Sequence, residues 1–278
     1  MRVAFLGVRG STPAPGPEFV RYGGHTSCVA VARDDGPPTL LLDAGTGIRR
    51  VPEMMDGRAF AGSVLLSHLH WDHVHGLPFC VATDHLDART NVYIPQPSDG
   101  ADALEALARG FSPPHFPVHP DQLRGAWTFR GLVPGDSVIE GFSVRAREIP
   151  HKGGRTYGFR VTDGSSTLTY MPDHCPDADG PGPDGLGEYH DAALALCEGS
   201  DVLIHDAQLV REELAAEGYF GHSAAEYAVE LGRKARVARV ILFHHKPTRT
   251  DEELDAIGAR FDDSPAVSVA AQSTILAL

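Results

Sequence analysis

The chain has 278 residues, enough for one large domain or two small ones. Its formal net charge is −13, from 24 basic and 37 acidic residues. That balance, with no basic run, argues against a long nucleic acid gripped through its phosphates and for a small substrate. No apolar run approaches the ~20 residues of a bilayer span, so no membrane partner is expected. The opening Met1–Gly7 is too short for a signal peptide's apolar core and lacks a small-residue cleavage site, so it reads as a first strand and a cytoplasmic location is expected. Cys28, Cys80, Cys175 and Cys197 are far apart and form no C-x-x-C pair, as buried thiols of a reducing compartment would be. Of these, Cys175 stands nearest a candidate site residue, Asp173.

In chain order, Val3–Val8, Ser27–Arg33, Thr39–Asp43 and Ser63–Ser67 are β-rich runs broken by Gly and Pro clusters. Asp34-Asp35-Gly36-Pro37 reads as a hairpin turn. Leu41–Gly47 is a strand entering a glycine turn whose Asp43 caps nearby N–H groups; it lacks the Walker pattern. Residues 96–125 break the β pattern. A short helix over Ala101–Arg109 precedes Phe111-Ser112-Pro113-Pro114-His115-Phe116-Pro117, which suits neither helix nor central strand. The stretch reads as an insertion that lids a site. Strands resume at Trp127–Arg130, Phe142–Ile149, Tyr157–Thr162 and Thr167–Met171, followed by a loop to Gly187. Then come a helix over about Glu188–Glu198, the strand Val202–His205 and a helix over Gln208–Ala216. Ser223-Ala224-Ala225-Glu226 reads as a capping box opening a helix to about Arg236. After the strand Val240–Phe243, a second box at Thr250–Glu253 opens the last helix. Val267–Ala270 and Thr274–Leu278 are β-prone. β-rich stretches followed by helices in both halves predict an α+β, four-layer αβ/βα sandwich of two mixed sheets flanked by helices. One domain over 1–278 is expected, with the lid at about 96–125.

Fifteen histidines are the compositional oddity. Four candidate metal ligands, His68, His70, Asp72 and His73, crowd into six residues behind the apolar run Val64-Leu65-Leu66. On extended backbone His68 and His70 share a side, because side chains alternate. Asp72 and His73 follow where the chain bends and approach from another direction. Imidazole with carboxylate suits zinc, manganese or iron. A solvated histidine-rich loop is the bland alternative, and it leaves crowded imidazoles behind a buried strand without partners.

A dinuclear site needs about six protein ligands. The rest are sought where strands end. His151 follows Phe142–Ile149, Asp173 follows Thr167–Met171, and His244 and His245 both follow Val240–Phe243. Taken singly, these are ordinary turn residues. His222, in Gly218-Tyr219-Phe220-Gly221-His222-Ser223, sits before a helix N-terminus, where free N–H groups suit a phosphate and a histidine can protonate a leaving alkoxide.

His-x-His-x-Asp-His after an apolar strand resembles the signature of the metallo-β-lactamase fold superfamily. The resemblance implies that His68, His70 and His151 hold one divalent ion. Asp72, His73 and His244 hold the second, His244 being preferred to His245 as the last-strand histidine, and Asp173 bridges both. Zinc is expected, with manganese or iron as alternatives. The Gly-His-Ser segment resembles the catalytic histidine segment of the phosphodiesterase branch, which includes the tRNA 3′-processing endonucleases. Gly7-Val8-Arg9-Gly10-Ser11-Thr12-Pro13 with Tyr22–Cys28 resembles the N-terminal pattern of the RNase Z-like and cyclic-phosphate phosphodiesterase group, which usually has Asn where this chain has His25. The Pro-Gly-His-Thr context of the thiolesterase branch is absent.

The activity so implied is hydrolysis of a small phosphodiester, such as a cyclic nucleotide, a cyclic sugar phosphate or a short nucleotide end. A hydroxide shared by the two ions attacks phosphorus in line, with Asp72, Asp173 and His222 as the catalytic groups. The rival is an acyl hydrolase acting on a lactone, thioester or lactam. A tRNA 3′-processing endonuclease and a non-enzymatic metal-binding sensor rank below it, and a homodimer stays open as the assembly.

Overall fold

The computed structural model describes residues 1–261 and 265–278. Alternation decides the architecture. In β1 (Arg2–Gly7), Val3 and Phe5 face one core while Ala4 and Leu6 face another. β2 (Cys28–Ala32) and β3 (Leu40–Leu42) repeat the pattern, with Val29, Val31, Leu40 and Leu42 inward. β4 (Ala61–Leu65), β5 (Arg89–Pro95) and β6 (Ala126–Leu132) extend this sheet. The second sheet holds β7 (Gly135–Ile139), β8 (Phe142–Ile149), β9 (Thr156–Thr162), β10 (Thr167–Met171), β11 (Val202–Asp206), β12 (Arg239–Phe243) and β13 (Ala266–Val269). β14 (Ile275–Ala277) returns to pair antiparallel with β1. The orders are β14-β1-β2-β3-β4-β5-β6 and β13-β12-β11-β10-β9-β8-β7.

Phe142, Tyr157, Phe159 and Phe243 of the second sheet meet the inner residues of the first in one shared core. In the central strands, residues on the outer face of each sheet pack under helices, so each step along the chain changes core. This is the two-sheet, helix-flanked sandwich that the sequence predicts. The helices are α1 (Trp71–Val74), α2 (Ala103–Ala108), α3 (Asp191–Cys197), α4 (Leu214–Glu217), α5 (Ala225–Lys234) and α6 (Asp251–Gly258). Among the described residues, no helix is long and apolar enough to cross a membrane.

Several local expectations are corrected. β5 and β7 were not singled out in the sequence. β5 buries Thr90, Val92 and Ile94 in alternation, while β7 is short, polar and at a sheet edge. The stretch at about 96–125 is the crossover between β5 and β6, which pair in parallel and so require one. Its helix α2 buries Ala103, Ala106 and Leu107 against the outer core of the first sheet. The helix expected over Gln208–Ala216 reduces to a 3₁₀ turn, Arg211–Glu213, and the single turn α4, because Leu209 is held in a β-bridge to Ala224. Ser223 does not cap α5. Its Oγ donates to the Asp206 carbonyl, and Glu226 accepts from the Arg211 N–H instead. At Thr250 the box forms as expected, with Thr250 Oγ1 and Glu253 bonding reciprocally.

β3 pairs with β4 in parallel, β10, β11 and β12 pair with one another in parallel, and β8 parallels β10 through the antiparallel β9. Their carboxyl ends therefore gather along one edge of the sandwich. That edge is where open α/β sheets place their sites.

Candidate metal centre

Past β4 the chain stays extended through His68 and His70, then turns into the single-turn α1. His68 and His70 come together on one side, ring centroids 4.3 Å apart. α1 brings Asp72 and His73 in from the other: His73 Nε2 lies 3.1 Å from Asp72 Oδ2. His151, just past β8, places Nε2 3.4 Å from His70 Nδ1 and 3.8 Å from Asp173 Oδ1. Asp173, two residues past β10, reaches both halves, with Oδ2 3.7 Å from His68 Nε2 and 2.7 Å from His73 Nε2. His244 completes the second half, Nε2 3.0 Å from Asp72 Oδ2 and 3.2 Å from His73 Nε2. His244 has φ 57°, a left-handed conformation that is costly for a non-glycine residue and that turns its ring inward at the end of β12. His245 points away and donates to the Ala270 carbonyl. All seven residues named from the sequence as ligands are thus brought to one place, with His244 rather than His245.

The donor set fits divalent ions. Three-residue sets His68/His70/His151, His68/His73/Asp173 and Asp72/His73/His244 each offer ligand atoms within 4.8 Å of one another. His68 Nε2 and Asp173 Oδ2 are buried without a hydrogen-bond partner, a costly arrangement unless something else satisfies them. The 2.7 Å approach of His73 to that same Asp173 oxygen lacks hydrogen-bond geometry. Burial lowers the pKa values of His68, His70 and His151, keeping their lone pairs free for a ligand. Burial alone would raise Asp173, but His244 and His73 pull it well below the usual carboxylate range.

Supporting groups fix these rings. Asp43, with φ 61° at the end of β3, accepts from His73 Nδ1 at 2.7 Å, from Ser67 N–H and Oγ, and from Tyr170 OH. His151 Nδ1 donates to the Gly221 carbonyl at 2.8 Å. Such partners set the tautomer and orientation of a ligand histidine. Gly10 leaves room for His244: a Cβ there would sit 2.3 Å from His244 Nδ1. Sequence reasoning missed Asp43 and Gly10 as site residues. It also missed Asp206, which ends β11 as His244 follows β12 and whose place at a strand end was its signal.

His222 lies at the rim. Its Nδ1 is 3.1 Å from Asp206 Oδ2 and 3.2 Å from Asp173 Oδ1. Burial opposes its charge, but the Asp206 and Asp173 carboxylates outweigh that, and its pKa is pushed up to about 10. With Asp173, Asp206 and His244 it also forms a further set with metal-ligand spacing. His174, next to Asp173 in the chain, is fully buried, Nδ1 3.0 Å from His205 Nε2. Cys175 turns its thiol toward Asp177, and burial pushes that thiol up to about 12, so it stays protonated and is a poor ligand. A cleft of about 360 Å³ above the cluster is lined by Leu69, His70, Trp71, Asp173 and His222. A second, of about 330 Å³, opens on His68 and His70 past Gln96, Arg109 and Gly153.

Residues 39–245 match the family model of the β-lactamase superfamily domain. The chain is 28% identical over 261 residues to a ribonuclease Z of Salinibacter ruber, covering 79% of each chain. Its fold is similar to that of the metallo-β-lactamase fold protein YhfI from Bacillus subtilis, with TM-score 0.70 and 19% identity over 99% of this chain and 98% of that one. A diphosphatase of the PhnP family superimposes with TM-score 0.69 at 16% identity, covering 100% and 97%.

Proposed function

The chain belongs to the metallo-β-lactamase superfamily of hydrolases, and on that premise we propose that it is a phosphodiesterase acting on a small phosphodiester. The observation that carries this reading is His222, an imidazole whose Nδ1 lies 3.1 Å from Asp206 Oδ2, beside the His/Asp cluster and facing the cleft. The leaving group of an alkyl phosphodiester is a strongly basic alkoxide, which needs a proton donor at that place. His68, His70 and His151 would hold one ion, Asp72, His73 and His244 a second, and Asp173 would serve both. Zinc suits this nitrogen-rich set best, and manganese or iron would also fit. Such ions supply a bound water of lowered pKa and neutralise charge on the phosphoryl oxygens.

The chain's own residues do the rest. Asp72, fixed by the Ser11 N–H at 2.7 Å, orients His73 and His244. Water loses a proton to the surrounding solvent and forms the new P–O bond. The ester P–O bond breaks, and His222 gives its proton to the departing oxygen while Asp206 stabilises the cation beforehand.

The ribonuclease Z name of the Salinibacter ruber relative favours a second reading, cleavage of an RNA 3′ end. Against it stands the net charge of −13. The test is a panel with metal-loaded protein: bis-p-nitrophenyl phosphate, cyclic nucleotides, a precursor tRNA, a lactone and a thioester. Turnover of the small diesters supports the first reading. Cleavage of the precursor tRNA alone selects the second, and acyl turnover without phosphodiester turnover overturns both.

A further inference from the structure

A cavity of about 640 Å³ lies beside the metal cleft and plays no part in the function proposed so far. It forms where the tip of the β5–β6 crossover meets the short 3₁₀ helix Leu77–Phe79. Phe111 and Phe116 come from the tip, with ring centroids 4.6 Å apart, and Phe79 meets Phe116 edge-on at 5.9 Å. The other notable linings are Arg49, His75 and His115. Among the described residues no acidic side chain lines this space, in a chain of net charge −13. The Arg49 side chain is exposed and makes no hydrogen bond or ion pair among the described residues. An unpaired guanidinium lining the same cavity as three aromatic rings is a receptor for an anion carrying a flat ring.

The cavity adjoins the metal cleft. Trp71 lines the cleft and His75 lines the cavity, and the two rings stack 5.3 Å apart at 21°. A ligand passing this pair would occupy both spaces. The cavity's size and its aromatic, sparsely polar lining match those of small-molecule sites.

We propose that this cavity is a nucleotide subsite, with a base against Phe79, Phe111 and Phe116 and that nucleotide's own phosphate on Arg49. The inference rests on the phosphodiesterase reading and names its substrate class: a nucleotide-bearing diester, its scissile phosphate in the cleft and its neighbouring nucleotide past Trp71 and His75. Base–aromatic stacking accepts any base, so preference among bases is weak.

Calorimetric binding of AMP and adenosine to the zinc-loaded protein tests it. Wild type should bind AMP more tightly than adenosine. Arg49→Gln should weaken AMP binding at least about tenfold and leave adenosine nearly unaffected, and Phe116→Ala should weaken both. Arg49 is exposed, so its variant should fold even if Phe116→Ala does not. No AMP binding by wild type, or unchanged AMP affinity in Arg49→Gln, overturns the subsite. Wild-type turnover of bis-p-nitrophenyl phosphate reads the phosphodiesterase proposal separately: its absence defeats that reading, while the AMP result still decides the cavity.

Discussion

The Nδ1–H of His73 donates to the Asp43 carboxylate across 2.7 Å, and that carboxylate is fully buried. It aims Nε2 of His73 at Asp72, Asp173 and His244. Asp43→Asn keeps the shape but puts a weaker, neutral acceptor, with a donor beside it, where the carboxylate oxygens were. Metal affinity should fall about 10–100-fold, read by titration against a chromophoric chelator. Unchanged affinity would mean that the imidazole is oriented by packing alone.

His222→Ala should cut phosphodiester turnover by about 10²–10⁴. Metal content, read by mass spectrometry, should change little, since the seven proposed ligands do not include His222, although it stands in a further set with Asp173, Asp206 and His244. Normal turnover removes His222 from the mechanism, and parallel loss of metal makes it a ligand.

Asp206 is the largest contribution that raises His222, whose folded pKa is about 10. In the proposed mechanism the working form is the cation, so activity requiring it should persist below that pKa and be lost as pH rises through it. Asp206→Asn removes the stabilising charge, and the proton then leaves at lower pH. The alkaline limb of kcat/KM should shift downward in the variant. A limb that stays in place belongs to another group.

A Cβ at residue 10 would meet His244 Nδ1 at 2.3 Å and Gln208 Oε1 at 2.5 Å. Gly10→Ala should therefore displace the His244 ring and lower the metal count from two per chain toward one. An overpacked site also costs stability, about 1–3 kcal/mol, read as a lower midpoint in urea. Two tightly held ions in this variant would show that the ring has room the structure does not reveal.

The site was more legible in the sequence than its supports. His68, His70, Asp72 and His73 share one short stretch, so local geometry alone brings them close. His151, Asp173 and His244 were found because each follows an apolar strand, and parallel strands end at one edge. Asp43 and Asp206 obey the same rule, but a single carboxylate after a strand is common and carries no mark of its own. The capping box read at Ser223 failed because Ser223 found a partner 17 residues away, the Asp206 carbonyl.

By itself, the sequence determined the layered architecture, because period-two alternation and strand-end chemistry are local properties of the chain. The tertiary structure decided which of two adjacent histidines enters the site, since the left-handed turn at His244 sends its ring inward and leaves His245 facing Ala270. It also decided that the stretch around Phe111–Pro117 caps a crossover and walls an aromatic cavity with Phe79. Contacts between segments more than thirty residues apart depend on how the sheets stack, and no local pattern encodes them.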